Sequence, residues 1–251
     1  MILLTNDDGI NVKGLRELKK QLEKEFDVVV VAPDKENSGV SHSITFKQPI
    51  RIYKHSDNEY SISGTPADCV NIALNGLIDK KIDLVISGMN YGANVGKDVI
   101  YSGTIAASRE AYLQGYPSIA VSLGRIGIND YISEYAEIAV NIIRKIIKNN
   151  ILDICGLISL NCPEINPNPI PEIKFTKLGS NNYKYKLVKR LDPVGIPYYW
   201  IEYDRHNIID TETDVYAYHN NKISITPLNS DFLNIEAYNI LKNKEIDFNK
   251  I

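Results

Sequence analysis

The sequence predicts a doubly wound α/β fold built on a mostly parallel sheet, and three observations predict it. Short apolar, β-branched runs recur through the first two thirds of the chain. Segments with apolar residues at helical spacing stand between them. The order β-α-β repeats, which is the connection that parallel strands require.

In chain order, ILLT at 2–5 suits a buried strand, and Val12, Leu15, Leu18, Leu22 and Phe26 then recur at near-helical intervals. DVVVVAP at 27–33 is a second buried strand, ended by its proline. ITFKQPIRIYKHSDNEYSIS alternates apolar and polar residues around the turn DNE, which predicts an antiparallel excursion from the parallel core. Thr65-Pro66 opens a helix over about 66–77, because threonine caps and proline suits the first helical position. IDLVISG at 82–88 is a strand, 103–114 a helix stopped by Gly115, and SIAVS at 118–122 a strand. A helix over 130–149 and a strand at LISLN, 157–161, complete the set.

Beyond residue 162 the texture changes. Pro163, Pro167, Pro169 and Pro171 exclude a central strand or a helix interior there, so residues 1–162 read as the core and 163–251 as an extension without independent status. Residues 175–204 carry aromatic and β-branched residues around turn signals, and predict a long hairpin or arm of the kind that finds its burial partner in another subunit. TDVYAYHNNKISITPL at 213–228 reads as two strand-like runs around HNN, with a short helical stretch near 230–243.

Composition narrows the function. A chain of 251 residues, 44% hydrophobic and 24% charged, is ordinary globular material, and 28 basic against 31 acidic side chains exclude a general nucleic-acid binder. Three irregularly spaced cysteines, Cys69, Cys155 and Cys162, argue against a disulfide framework and for inert thiols in a reducing compartment. The first apolar stretch meets two aspartates within eight residues, so neither leader nor membrane span is expected and cytoplasmic residence follows.

Three polar clusters carry the chemistry. NDDG at 6–9 falls where the first strand should end, the edge at which open α/β sheets bind ligands. Asp7 and Asp8, adjacent and repelling, suit a hard divalent cation such as magnesium or manganese; equally, Asp8 could cap the next helix while Gly9 makes a turn. After the second strand, APDKENSGVSHSIT puts Ser38 and Gly39 in a polar loop, where Ser38 could add a hydroxyl ligand or NSG could be a plain turn. His42 in that loop could meet a phosphate or simply brace Ser38. After the third strand, SGMNYGANVGKDVIYSGT carries Gly88, Gly92, Gly96 and Gly103, and its SGT leads into a helix whose N-terminus can receive an anion. This pattern is neither GxGxxG after the first strand nor GxxxxGK[ST], so dinucleotide and Walker sites are excluded. The basic run Lys184, Lys186, Lys189 and Arg190 reads as the solvated face of the arm.

Taken together and in this order, NDDG, APDxxxSGxSHSIT, GTPADCV, SGxNxGxNxGxDVxYSGT, PYYW and TDVxAxxxxxISITPL resemble the SurE survival-protein family of 5′/3′-nucleotidases. That resemblance implies a Rossmann-like three-layer sandwich with a swapped or extended C-terminal segment and a hairpin arm, assembling as homodimer or homotetramer. It implies a hydrolase that uses one Mg²⁺ or Mn²⁺ per subunit to release orthophosphate from nucleoside monophosphates by attack of water, with exopolyphosphatase action as a secondary activity. Carried onto this chain, the metal ligands are Asp7, Asp8, Ser38 and Asn90, with Asp7 and Asp8 also catalytic. Asn94, Ser102, Gly103 and Thr104 would face the phosphate, and His42 and Gly39 would stand behind them. Met89 and Tyr91 beside Asn90, and Glu202-Tyr203 after PYYWI, depart from the family pattern at the rim, where they bear on base preference.

Overall fold

Strands buried on both faces read as unbroken apolar runs, and the computed structural model, which describes residues 1–124, 131–163, 165–180, 184–204, 210–230 and 238–239, shows them so. In chain order the elements are β1 (Ile2–Thr5), α1 (Lys13–Leu22), β2 (Val28–Pro33), β3 (Ile52–Ser56), β4 (Glu59–Ile62), α2 (Pro66–Ile72), β5 (Leu84–Tyr91) and α3 (Gly103–Leu113). They continue with β6 (Ser118–Leu123), α4 (Ile132–Lys148), α5 (Leu152–Cys155), β7 (Leu157–Cys162), β8 (Ile173–Phe175), β9 (Lys184–Leu191), β10 (Pro197–Asp204), α6 (Asp214–His219) and β11 (Ile223–Leu228).

The main sheet has the order β3-β4-β2-β1-β5-β6-β7-β11-β8. Its centre, β2 through β7, is parallel. Successive side chains of β1 serve opposite layers: Ile2 and Leu4 pack with Leu15 and Leu18 of α1 and Ile142 of α4, while Leu3 packs with Val70 of α2 and Ala107 of α3. Helix α2 starts on the expected Thr65 cap, which Asp68 completes as a capping box: Thr65 Oγ1 accepts from Asp68 N and Thr65 N donates to Asp68 Oδ2. The predicted helix over 66–77 leaves α geometry after Ile72, where a wide turn over Ala73–Leu77 contains Gly76 at φ 147°.

The C-terminal part differs from expectation in two places. Residues 214–219, read as strand-like, form helix α6, because Thr213 Oγ1 accepts from Tyr216 N and caps the turn. Just after the proline-rich connection comes an unexpected short strand, β8, which pairs parallel with β11 at the sheet edge. Strand β11 pairs antiparallel with β7 of the same chain. The helical stretch expected near 230–243 lies outside the described residues except for Tyr238 and Asn239. Strands β9 and β10 form a separate two-stranded sheet, the expected arm, with its main packing between its own two strands. Among the described residues no helix is long and apolar enough to cross a membrane.

Candidate active site

Strand β1 lies between β2 and β5, so the chain leaves its carboxyl end toward one neighbour while the other neighbour's loop diverges. That divergence opens a crevice at the strand ends. The NDDG turn there is closed on itself: Asn6 Nδ2 donates to Gly9 O at 2.9 Å and Gly9 N donates to Asn6 Oδ1 at 3.2 Å. Asn37 N donates to Asp7 O at 2.7 Å, tying the loop after β2 to the end of β1.

Asp7 is buried and is held by the start of α3. Thr104 Oγ1 donates to its Oδ1, and the Gly103 and Thr104 backbone amides favour its charge. Gly103 is required here by proximity: a Cβ on it would lie 2.7 Å from Asp7 Cβ and 2.9 Å from Oδ2. Ser102 caps the same helix, its Oγ accepting from Ile105 N at 3.1 Å. The anion seated at this helix start is therefore Asp7 itself. Burial still pushes the Asp7 carboxyl above its ordinary range. For Asp8, half-buried, burial and the neighbouring Asp7 charge raise the carboxyl to about 7, against a contact from Tyr91 N at 3.4 Å.

Strand β5 delivers Asn90 by breaking its own register. The pairing with β6 shifts between Ser87 and Asn90, and the shift needs Gly88, whose φ is 145° and whose Cβ would stand 2.3 Å from Val121 O. Met89 is then buried while Asn90 faces the cleft. Asn90 Nδ2 donates to Gly92 O at 2.7 Å, which sets the amide flip and turns its Oδ1 into the available acceptor. Asn94 is more enclosed: its Nδ2 donates to Ser122 Oγ at 2.8 Å and its N to Asn161 Oδ1 at 2.8 Å.

Asp7, Ser38, Gly39, Asn90, Asn94 and Ser102 all line one cleft of about 950 Å³. Ser38 is partly turned away, its Oγ donating to Glu36 Oε1 at 2.8 Å. His42 braces the loop: Arg109 Nε donates to its Nδ1 at 3.0 Å, and its Nε2 pairs with Glu110 Oε2 at 2.8 Å. Both partners sit on α3, so the imidazole fastens the Ser38 loop to the helix that holds Asp7. Asp68 likewise binds Thr45 N and Oγ1 at the far end of that loop.

One supporting residue went unnoticed in the sequence. Asp214, fully buried, accepts from Gly96 N at 2.8 Å, Gly179 N at 2.7 Å and Val215 N at 2.8 Å. It joins the glycine-rich loop, the root of the arm and α6. The sign was present as TDV beside a strand-like run, but its partners lie 118 and 35 residues away.

The family described as survival protein SurE matches residues 2–185. The 5′-nucleotidase SurE of Pelobacter propionicus is 38% identical over 241 residues, covering 96% of this chain and 97% of that protein. The 5′-nucleotidase SurE of Alkaliphilus metalliredigens is 40% identical over 256 residues, covering 98% and 99%. The crystal structure of SurE protein from Aquifex aeolicus superposes with a TM-score of 0.83 at 37% identity, over 96% of this chain and 98% of that one.

Proposed function

We propose a reaction for this chain on one premise: it belongs to the survival protein SurE family. It is a 5′-nucleotidase, a phosphoric monoester hydrolase that cleaves nucleoside monophosphates to nucleoside and orthophosphate. The observation that carries the mechanism is that Asp7 and Asn90 line one cleft at the ends of β1 and β5, with the neighbouring Asp8 carboxyl crowded by the Asp7 charge.

The donor set fits a hard divalent cation. Asp7, Asp8, the Ser38 hydroxyl and Asn90 Oδ1 are all oxygens, and two carboxylates driven toward protonation by burial and mutual repulsion are most readily relieved by a cation. We assign one Mg²⁺ or Mn²⁺ per subunit to these four residues. Such an ion supplies Lewis acidity toward a phosphoryl oxygen and a lower pKa for an attacking water.

The chain's own groups do the rest. Thr104 and the helix α3 amides oppose the effect of burial on the Asp7 charge and fix the carboxyl in one orientation. Among the described residues the Asp8 carboxylate accepts only the long Tyr91 contact, so it is the freer of the two to take the proton of the attacking water. Ser102 and Asn94 border the phosphate position, Gly103 and Thr104 stand behind it on Asp7, and Gly39 and His42 shape the loop opposite. Nucleoside 3′-monophosphates and short polyphosphate are further substrates of the same site.

We assign residues 1–162 as the catalytic core and 163–251 as an extension whose arm joins subunits into a homodimer or homotetramer. Exposed Leu191, Val194, Ile196, Tyr199 and Trp200 on that arm support assembly. Free Cys69, Cys155 and Cys162 agree with a cytoplasmic setting. The test is phosphate release from a panel of nucleoside 5′- and 3′-monophosphates after chelation and then with Mg²⁺ or Mn²⁺ restored. Release only after restoration is expected; equal release throughout would remove the cation from the mechanism.

A further inference from the structure

We propose that the root of the hairpin is the wall that receives the nucleoside half of the substrate, so that Tyr185, Leu187 and Ile201 set the preference for nucleotides over other phosphate monoesters. The inference rests on the nucleotidase reading above and adds the part of the site that recognises the leaving group.

The cleft has two chemically different sides. Its floor, where Asp7, Asn90 and Ser102 lie, is polar and suited to phosphate. The hairpin contributes Tyr185, Leu187 and Ile201 to the same cleft. Register explains why these come together: Leu187 stands directly opposite Ile201 across the ladder, and Tyr185 follows Leu187 at the two-residue period that keeps side chains on one face. All three are 62–69% exposed, so most of their apolar surface is still available to cover. A nucleobase, flat and apolar on its faces, covers such a surface, whereas a phosphate or metal ion gains nothing from it.

Size and charge point the same way. A cleft of about 950 Å³ is far larger than a phosphate group and a cation need, and sits at the upper end of the range usual for small organic ligands. Lys186, between Tyr185 and Leu187 on the strand, also borders the cleft and adds a positive charge near it for a phosphate monoester dianion. The arm thus has two uses along its length: its root faces the cleft of its own chain, and its tip, around Val194, carries exposed apolar residues away from the cleft.

The test compares adenosine 5′-monophosphate with glycerol phosphate, a monoester without a base, on the intact protein and on the double variant Leu187→Ser/Ile201→Ser. Both positions are surface positions, so folding should survive. The ratio of kcat/KM for the nucleotide over glycerol phosphate should fall about tenfold, mostly through KM, as expected for losing two apolar contacts. Val194→Ser at the arm tip serves as the control for effects that pass through assembly. An unchanged ratio in the double variant would overturn the proposal, as would an equal fall in Val194→Ser. If the unaltered protein hydrolysed neither compound, the nucleotidase reading would fall by itself. Calorimetric titration with adenosine 5′-monophosphate would then decide the wall: about tenfold weaker binding in the double variant supports it, and equal affinity overturns it.

Discussion

The loops at the carboxyl ends of β1 and β5 and the β9–β10 hairpin handle their side chains in opposite ways. In the first region polar groups are paired across long sequence distances within the chain: Thr104 with Asp7, His42 with Glu110, and Asp214 with Gly96 and Gly179. In the second, large apolar residues such as Trp200 and Leu191 stay more than half exposed on a two-stranded ladder packed mainly on itself. The first is built to hold charges in fixed positions, with its polar pairing made within one chain. The second carries a surface whose stabilisation must come from a substrate or another subunit.

That contrast can be broken most severely at the Asn90 carbonyl. Asn90→Ala should cut phosphate release by more than about 100-fold, since even groups one step removed from a metal cost up to that much, while the thermal midpoint stays close to its starting value. Next, Asp214→Ala should lower unfolding free energy by about 3 kcal/mol in urea titration, because three buried N–H donors lose their acceptor. Gly103→Ala should cost about 1–3 kcal/mol and most of the activity, as its methyl group would displace Asp7.

A gentler probe is pH. Burial and the Asp7 charge push the Asp8 carboxyl up to about 7, so over the range above its ordinary value the folded state keeps a proton that the unfolded chain has lost. Its contribution to stability therefore falls as pH rises from about 4 to about 7, and the raised Asp7 carboxyl acts with the same sign. Scanning calorimetry should find Mg²⁺ or Mn²⁺ raising the melting temperature of the protein more at pH 8 than at pH 5. At the smallest end, Trp200→Ser on the arm should change stability by less than about 0.5 kcal/mol, yet reduce the mass measured by light scattering.

The same contrast explains what was legible in the sequence. Strands β1, β2, β5, β6 and β7 were readable because burial on both faces leaves unbroken apolar runs. The three polar loops were readable because each follows one of those strands. Helix α6 was read as strand-like, since VYAY has strand-forming residues and only the Thr213 cap decides otherwise. Strand β8 was hidden because it is only three residues long, directly follows the proline-rich connection, and pairs with β11 at a separation no local pattern reveals. Thr104 was expected to face phosphate, but its hydroxyl goes to Asp7, a partner 97 residues away that no local pattern reveals.

The central claim is that Asp7, seated on the start of α3, is a metal ligand and not a structural cap. Titrating Mn²⁺ into the unaltered protein and into Asp7→Asn by calorimetry, with phosphate release followed on the same samples, tests it most directly. Binding of one ion per subunit and hydrolysis in the unaltered protein, with both lost in Asp7→Asn at an unchanged fold, is the predicted result. Equal Mn²⁺ affinity in the two proteins would contradict it.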